Sequence, residues 1–329
     1  LPYFLAFERM GYNNSQSTLP VVAALFFVYI GIRRDSLFLM ALGGVAAGMG
    51  FYTYTAGQLG GVLTGTYLVY LIAEKLVVRF RSVPDDAKVL ARKQLTRLLL
   101  CTAVFIIVAF TVLLPQVIYS RAVAPDQFQF KILESMFPNV HYALDLWGSE
   151  ELYRDYPPIV IGDQTFFYRP DLYARMLVRG FVLTMLSFHH EALTSSHFLA
   201  SGLAGSASVV FYFVGMLFVL RNIRRKPFLL ISMWWVIALL LLSITNTFPP
   251  RYQHLVPVTP VIALFIAIGI SKLARFFIET LRLPSLAEKQ GEVNPLLRRV
   301  IAYSAPAIAC VLLVVTVGTN LYDYFVRMP

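Results

Sequence analysis

The chain has 329 residues, of which 58% are hydrophobic and only 14% are charged. Because a soluble globular protein carries about 25% charged residues, this composition excludes a water-soluble domain and a disordered chain. Cys101 and Cys310 both lie in apolar runs, which excludes a disulfide scaffold and a cysteine metal site. The composition predicts a polytopic membrane protein.

Apolar segments of the length needed to cross a bilayer, about 20 residues, recur along the chain. They are 16–33, 36–55, 59–78, 98–118, 199–220, 227–246, 255–274 and 300–320. The sequence therefore predicts an all-α bundle of about eight membrane helices. Four of them lie within 1–118 and four within 199–329, and a polar region with short juxtamembrane helices, 119–198, separates the two sets.

Lysine and arginine concentrate in alternate connections between these segments. The connections 33–35, 75–97, 221–226 and 272–299 hold 19 of the 28 basic residues. Cytoplasmic connections of membrane proteins are enriched in these residues, so both termini and 119–198 are predicted to be extracytoplasmic. We expect an integral protein of a prokaryotic plasma membrane. Anionic membrane lipids suffice as partners for the net charge of +10, and no nucleic acid is needed.

The segment 176–193 is apolar enough to suggest a ninth span. Counting it would move the basic connection 221–226 to the outer side. The charge pattern therefore favours a helix that lies along the outer interface or packs against the bundle.

The polar region 119–198 combines nine acidic residues and six basic residues with many aromatic ones. Aromatic faces next to carboxylates suit sugars, which present apolar C–H faces and hydroxyl groups. The alternative is a belt of interfacial aromatic residues with solvated charges. Three of its acids, Asp126, Glu134 and Glu191, are candidates for a catalytic base.

A histidine cluster near the end of this region has the residue types of a metal site. His189, His190 and His197 lie beside Glu191, but their spacing differs from the HExxH pattern of zinc proteases. The alternative is a set of hydrogen-bonded structural groups at the headgroup boundary.

Three arginines are candidates for binding a lipid-linked phosphate. Arg175 and Arg179 are four residues apart on a predicted helix, so they share a face. Arg251 follows two prolines in a short turn between spans, where an arginine requires an anionic partner. Ordinary headgroup contacts are the alternative for the first two arginines.

Four segments carry a family resemblance through their order. They are ERMGYNNSQSTLP, LFLMALGGVAAGMGFYTYTAG, GSASVVFYFVGMLFVLRNIRRKP and FPPRYQHLVPVTPVIALFIAIGISKLAR. Together they resemble the membrane glycosyltransferases of the GT-C class. The branch that they resemble holds the dolichyl-phosphate-mannose protein mannosyltransferases and the bacterial aminoarabinose transferases. The similarity extends, with gaps, over most of 1–274.

The resemblance implies transfer of a sugar from a polyprenyl-phosphate donor to an acceptor on the extracytoplasmic side. A divalent cation is the one cofactor that it implies, and the acceptor stays open between protein, lipid and glycan. By position, Arg9, Asn14 and Gln16 match the polar patch near the family's site. Arg251 and Tyr252 match its outer RY motif.

The family's catalytic carboxylate lies in the first outer loop, so we expect its counterpart upstream of Leu1. Asp126, Glu134 and Glu191 would be the stand-ins within the chain. Where aminoarabinose transferases have an aspartate and a lysine, this chain has Gln16 or Ser17, and Tyr54. The cation and the donor therefore stay open.

Two other functions remain alternatives. The first is a non-catalytic membrane subunit of a larger complex. The second is a transporter of lipid-linked precursors, which should show internal repeats and ionisable residues near the bilayer midplane. The sequence has no apparent repeat, and its charges keep to the connections.

Overall fold

The computed structural model describes residues 15–53, 55–80, 85–123, 158–161, 164–167, 170–186, 208–244, 255–280 and 295–322. Nearly all of these residues are helical. The helices are α1 (Thr18–Arg34), α2 (Leu37–Met49), α3 (Leu59–Phe80), α4 (Asp85–Val123), α5 (Pro170–Leu186), α6 (Ser208–Arg221), α7 (Lys226–Ile244), α8 (Thr259–Thr280) and α9 (Pro295–Tyr322). The predicted helical class is confirmed for this part of the chain.

Each of the eight predicted membrane segments overlaps one of these helices, but the helix lengths differ. Among the described residues, three helical stretches are long and apolar enough to cross a membrane, namely Ala56–Val78, Lys88–Val123 and Val256–Phe277. The apolar stretches Leu37–Tyr52, Ser208–Arg221, Lys226–Leu241 and Pro306–Thr319 are shorter. The helix lengths fit a membrane protein and support three spans, and the number eight stays a prediction.

The region between α4 and α5 contains a hairpin that the predicted all-α class omits. Strands β1 (Pro158–Ile161) and β2 (Gln164–Phe167) pair antiparallel, with Ile159 opposite Phe166. β-branched and aromatic residues favour strands, and Ile159, Val160 and Ile161 lie opposite Phe166, Thr165 and Gln164 in this pair. The described part of this region therefore contains a short hairpin before the helix Pro170–Leu186.

Helix α5 covers much of the apolar segment that was predicted to lie at the interface. Gly180 and Thr184 are buried, whereas Val178 and Val182 are exposed, so one face of the helix is covered. The helix is confirmed over Pro170–Leu186, and its position relative to a membrane stays a prediction.

The chain forms two compact units. The N-terminal unit comprises Gly11–Thr184 with Val236–Pro257. The C-terminal unit comprises Met185–Trp235 and Val258–Pro329 with Leu1–Met10. Each unit is described by itself below.

In the N-terminal unit, α1 and α2 form an antiparallel pair joined by a tight turn at Asp35. Asp35 adopts a left-handed conformation with φ of 53°, and the Ser36 hydroxyl accepts a hydrogen bond from the Leu39 amide at 3.3 Å. The Arg97 side chain of α4 donates to the Asp35 carboxylate at 2.6 Å and to its backbone carbonyl at 2.9 Å. The turn and the first part of α4 therefore lie at one end of the unit.

Small residues allow α2 to pack closely against α4. A methyl group at Gly44 would lie 2.6 Å from the Phe105 carbonyl oxygen. One at Gly48 would lie 2.7 Å from the Val112 Cβ. Close approach over small residues is typical of helix pairs in membranes.

The character of α4 changes along its length. Before Arg97, Ala91 and Leu95 are buried while Arg92 and Lys93 are exposed, so the helix is amphipathic there. From Leu98 onward exposed positions are mostly apolar, as lipid contact requires.

In the C-terminal unit, α6 and α8 run in the same direction and cross at two glycines. A methyl group at Gly215 would collide with the Phe265 carbonyl oxygen, and one at Gly269 with the Phe211 carbonyl oxygen. Beside the crossing, the Trp235 indole N–H donates to the Tyr212 hydroxyl at 3.0 Å. These aromatic side chains are buried, so the hydrogen bond lies in the core of the unit.

Candidate functional site

Three short turns meet at the end of the N-terminal unit that lies away from Asp35. They are Ser15–Ser17, which precedes α1, Gly50–Tyr52, which follows α2, and Thr55–Gln58, which precedes α3. The turn Thr55–Gln58 contacts the other two. We call these three segments the turn cluster.

Two glycines allow the chain to leave α2 and return within the turn cluster. A Cβ at Gly57 would lie 2.6 Å from the Gly50 carbonyl oxygen, so the two backbones touch. The Thr53 hydroxyl donates to the same carbonyl at 2.9 Å. A side chain at Gly50 or Gly57 would separate these backbones, which explains why α2 ends here despite its apolar sequence.

Tyr52 connects the turn cluster to α4. Its hydroxyl donates to the Val112 carbonyl oxygen at 2.7 Å. The side chain is 46% exposed, so the hydroxyl is fixed while much of the ring surface stays open.

The polar groups at the start of α1 are uncapped. The Ser17 side chain makes no capping hydrogen bond, although Ser17 is fully buried. The Thr18 hydroxyl oxygen is also buried, and it has no hydrogen-bond partner within the described ranges. Gln16, in contrast, is exposed. The Thr18 hydroxyl therefore keeps hydrogen-bonding capacity that the described residues do not use.

The described residues of the turn cluster carry no ionisable acid or base apart from the tyrosine hydroxyl. Such a surface can hydrogen-bond the hydroxyls of a sugar, but it cannot neutralise a phosphate. A phosphate ligand would require cations from other segments, and the sequence offers Arg9 and Arg251.

The structure places few of the predicted site residues. Gln16 lies in the turn cluster, and Arg175 and Arg179 lie one turn apart on α5, on one face of that helix. Their side chains lie outside the described part of the chain. The predicted residues that lie wholly outside it are Arg9, Asn14, Tyr54, Asp126, Glu134, His189, His190, Glu191, His197, Arg251 and Tyr252.

No group of three or more histidine, cysteine, aspartate or glutamate side chains that could hold a metal occurs within the ranges given above. All five histidines of the chain fall outside those ranges. The predicted cluster of His189, His190 and His197 therefore stays a prediction.

The structure adds three polar residues to this end that sequence reasoning did not single out. They are Thr18, Thr53 and Gln58. A sequence signal did exist for two of them, because Thr53 lies between the glycines of GMGFYTYTAG and Gln58 follows it directly. The contact of Gly50 with Gly57, which gives this signal its meaning, is visible only in the structure.

Comparison of the chain with protein-family models, with curated proteins and with solved structures gives no match.

Proposed function

We propose that the protein is a membrane glycosyltransferase that moves a sugar from a polyprenyl-phosphate donor to an acceptor on the extracytoplasmic side. The observation that carries this proposal is the meeting of two segments of the family resemblance. Residues Ser15–Ser17 belong to the first segment, ERMGYNNSQSTLP, and Gly50–Gly57 ends the second. Although about 40 residues separate them, they lie together in the turn cluster.

The turn cluster and the arginines would bind different parts of the donor. Gln16 and Thr53 offer neutral hydrogen-bonding groups, which suit the sugar. Arg251, Arg9 and the pair Arg175 and Arg179 would contact the phosphate, because a guanidinium binds two phosphate oxygens at once. Asn14 and Tyr252 would complete the sugar contacts.

The proposed reaction inverts the configuration of the sugar. A carboxylate would remove the proton from the acceptor hydroxyl, which attacks the anomeric carbon as the bond to the phosphate oxygen breaks. The arginines would stabilise the charge of the leaving polyprenyl phosphate. Asp126, Glu134 and Glu191 are the candidates for the base within this chain, and a divalent cation is the cofactor to test.

The proposal includes a topology. Eight spans would place the Asp35 turn in the cytoplasm, and the turn cluster, the region 119–198 and both termini outside. A cysteine introduced at Glu150, in a chain with Cys101→Ser and Cys310→Ser, should react with a membrane-impermeant maleimide added to intact cells. Labelling that appears only after the membrane is opened would contradict this orientation and the donor side with it.

Arg251→Lys is the decisive test of donor binding. Lysine keeps the charge but loses the paired N–H groups that a phosphate uses. We expect affinity for synthetic polyprenyl-phosphate sugars to fall about tenfold or more, since a charged hydrogen bond contributes about 1.5–3 kcal/mol. Binding and transfer would be measured in liposomes with mannose, glucose and aminoarabinose donors.

Arg34→Lys is the matched control, because Arg34 is an exposed arginine at the end of α1 away from the turn cluster. It should leave donor binding unchanged. If Arg251→Lys instead lowers the thermal stability in detergent and leaves donor binding in the folded fraction intact, Arg251 is a structural partner of a buried acid. If the unsubstituted chain binds none of the donors, the glycosyltransferase proposal fails.

A further inference from the structure

At one end of the C-terminal unit, four exposed cationic residues lie within the six residues 221–226 of a tight turn. The turn joins α6 to α7, and the Arg225 amide donates to the Asn222 carbonyl at 2.9 Å. The Asn222 side chain donates to the Phe218 carbonyl at 2.8 Å and closes the end of α6. The cationic residues on this turn, all exposed, are Arg221, Arg224, Arg225 and Lys226.

A further cation reaches this turn from α8. The Lys272 ammonium lies 3.8 Å from the centre of the Phe218 ring, in a cation–π contact. Phe218 in turn packs edge-on against Phe228 of α7, with ring centres 5.6 Å apart. Three helices are thereby held together at their cationic end, so the positive charges keep a fixed arrangement.

The arginines of this turn lack acidic partners in the described ranges. Arg221, Arg224 and Arg225 form no ion pair there, and the first turn of α7 contains no acid. The basic end of the N-terminal unit differs, because its Arg97 binds the Asp35 carboxylate at 2.6 Å. The positive charge of these three arginines thus remains uncompensated within the described ranges, and this charge favours an anionic ligand.

Exposed apolar side chains lie next to cationic residues of α6, of the turn and of α8. Leu217 is 62% exposed one turn before Arg221, and Ile223 lies exposed within the turn. On α8, Phe276 and Phe277 are exposed directly after Arg275. A soluble anion would leave this apolar surface in water, whereas a phospholipid covers it with acyl chains while its phosphate meets the cations.

We propose that the α6–α7 turn is a binding site for an anionic phospholipid headgroup. The phosphate contacts the guanidinium groups of Arg221, Arg224 and Arg225, which offer paired N–H donors, and Lys272 adds charge from α8. The acyl chains extend along the Leu217 side of α6. This site is independent of the proposed glycosyl transfer and does not require it.

The test uses the full chain reconstituted in vesicles of phosphatidylcholine with phosphatidylglycerol. Native mass spectrometry counts the phosphatidylglycerol molecules that stay bound when the protein is released from the vesicles. The triple variant Arg221→Gln, Arg224→Gln, Arg225→Gln should retain at least about tenfold less phosphatidylglycerol, since each basic residue contributes about fivefold near an anionic surface. Its thermal stability in phosphatidylcholine alone should be unchanged.

A charge-matched control uses three exposed basic residues of the N-terminal unit, with Arg34→Gln, Arg92→Gln and Lys93→Gln. It should change retention by no more than about twofold. Equal losses of bound phosphatidylglycerol in both variants would mean that the total positive charge attracts the lipid, and would overturn the proposed site.

Two further measurements separate the remaining outcomes. If the glutamine variant does not fold, the single variant Arg224→Gln replaces it, and unchanged retention in that variant overturns the proposal. In lipid-free detergent, inorganic phosphate alone should bind weakly. Binding of phosphate with the affinity of phosphatidylglycerol would assign the turn to a soluble anion instead.

Discussion

The two units of the molecule each bring a pair of helices into close contact through glycine, but they do so differently. In the C-terminal unit, Gly215 of α6 and Gly269 of α8 face the opposite backbone reciprocally. In the N-terminal unit, the glycines belong to α2 alone: Gly44 faces the Phe105 carbonyl oxygen of α4, and Gly48 faces a valine side chain of α4. One contact is backbone on backbone, and the other includes a side chain that can move.

This difference bears on how much each contact tolerates change. Apolar side chains gain little from meeting each other in lipid, so close packing and buried hydrogen bonds carry much of the association between helices. A backbone contact cannot be relieved without moving a whole helix. The Cγ atoms of a valine, in contrast, can move by a change of rotamer or be removed by substitution. We therefore expect the α6–α8 crossing to be the less tolerant of the two.

Gly215→Ala should have the largest effect. The added methyl group collides with the Phe265 carbonyl oxygen and lies 3.0 Å from the Gly269 amide nitrogen, so α6 and α8 must separate. We expect a loss of about 3 kcal/mol or more of folding free energy, measured by unfolding in mixed micelles. Gly318→Ala on α9 is the control, because nothing lies within 4 Å of its added methyl group. Alanine favours helix more than glycine does, so a comparable loss in both variants would show that the collision at the crossing does not decide the result.

Gly48→Ala should cost less, about 1–3 kcal/mol. Its methyl group meets the Val112 Cβ at 2.7 Å and the Ala109 carbonyl at 2.9 Å. Adding Val112→Ala keeps the Cβ but removes the Val112 Cγ1, which lies 2.9 Å from the added methyl group, so it should restore part of the stability. No such rescue is available at Gly215, so a failure to rescue Gly48→Ala would erase the difference between the two crossings.

Trp235→Phe tests the buried hydrogen bond beside the α6–α8 crossing. It removes the N–H that donates to Tyr212 at 3.0 Å and leaves an aromatic ring in the core. We expect a loss of about 1–2 kcal/mol. Adding Tyr212→Phe in the same chain should cost less than the sum of the two single changes, and strict additivity would refute the coupling.

Asp35→Asn should have the smallest effect. It removes the ion pair with Arg97. The Arg97 side chain is 41% exposed and the Asp35 side chain is 63% exposed. Exposed pairs contribute about 0.2–1 kcal/mol, and asparagine keeps the preference for the left-handed conformation at this position. The loss should shrink as salt is added. A loss larger than that of Trp235→Phe would reverse the expected order of buried and exposed contacts.

Local sequence patterns predicted the helices well and the contacts between them poorly. Apolar runs and basic turns located the α1–α2 turn correctly, because Asp35 and Ser36 carry local stop and start signals. The end of α2 at Met49 depends on the contact of Gly50 with Gly57, and the α6–α8 crossing joins glycines more than 50 residues apart. Neither contact, over seven residues or over more than 50, leaves a period in the sequence pattern.

In the candidate site, too, the local sequence indicated single residues but not the contacts between segments. Gln16 was predicted from a family resemblance, and the structure places it in the turn cluster with Gly50–Tyr52 and Thr55–Gln58. Thr18 and Gln58 were missed because single threonines and glutamines near a helix start are common and carry no spacing signal. Their meaning depends on which turns meet in space.

The hydrogen bond from Tyr52 to Val112 sets the depth of the turn cluster. Along α4, the amphipathic part ends near Arg97, so the hydrocarbon layer would begin there and, at about 30 Å thickness, extend to the neighbourhood of Gln116 and Tyr119. The helical rise from Arg97 to Val112 is only about 22 Å. The turn cluster would therefore lie about 8 Å below the membrane surface. Because non-helical backbone at that depth is tolerated only where protein or a water-filled cavity surrounds it, the three turns would be covered by protein or water and not by acyl chains.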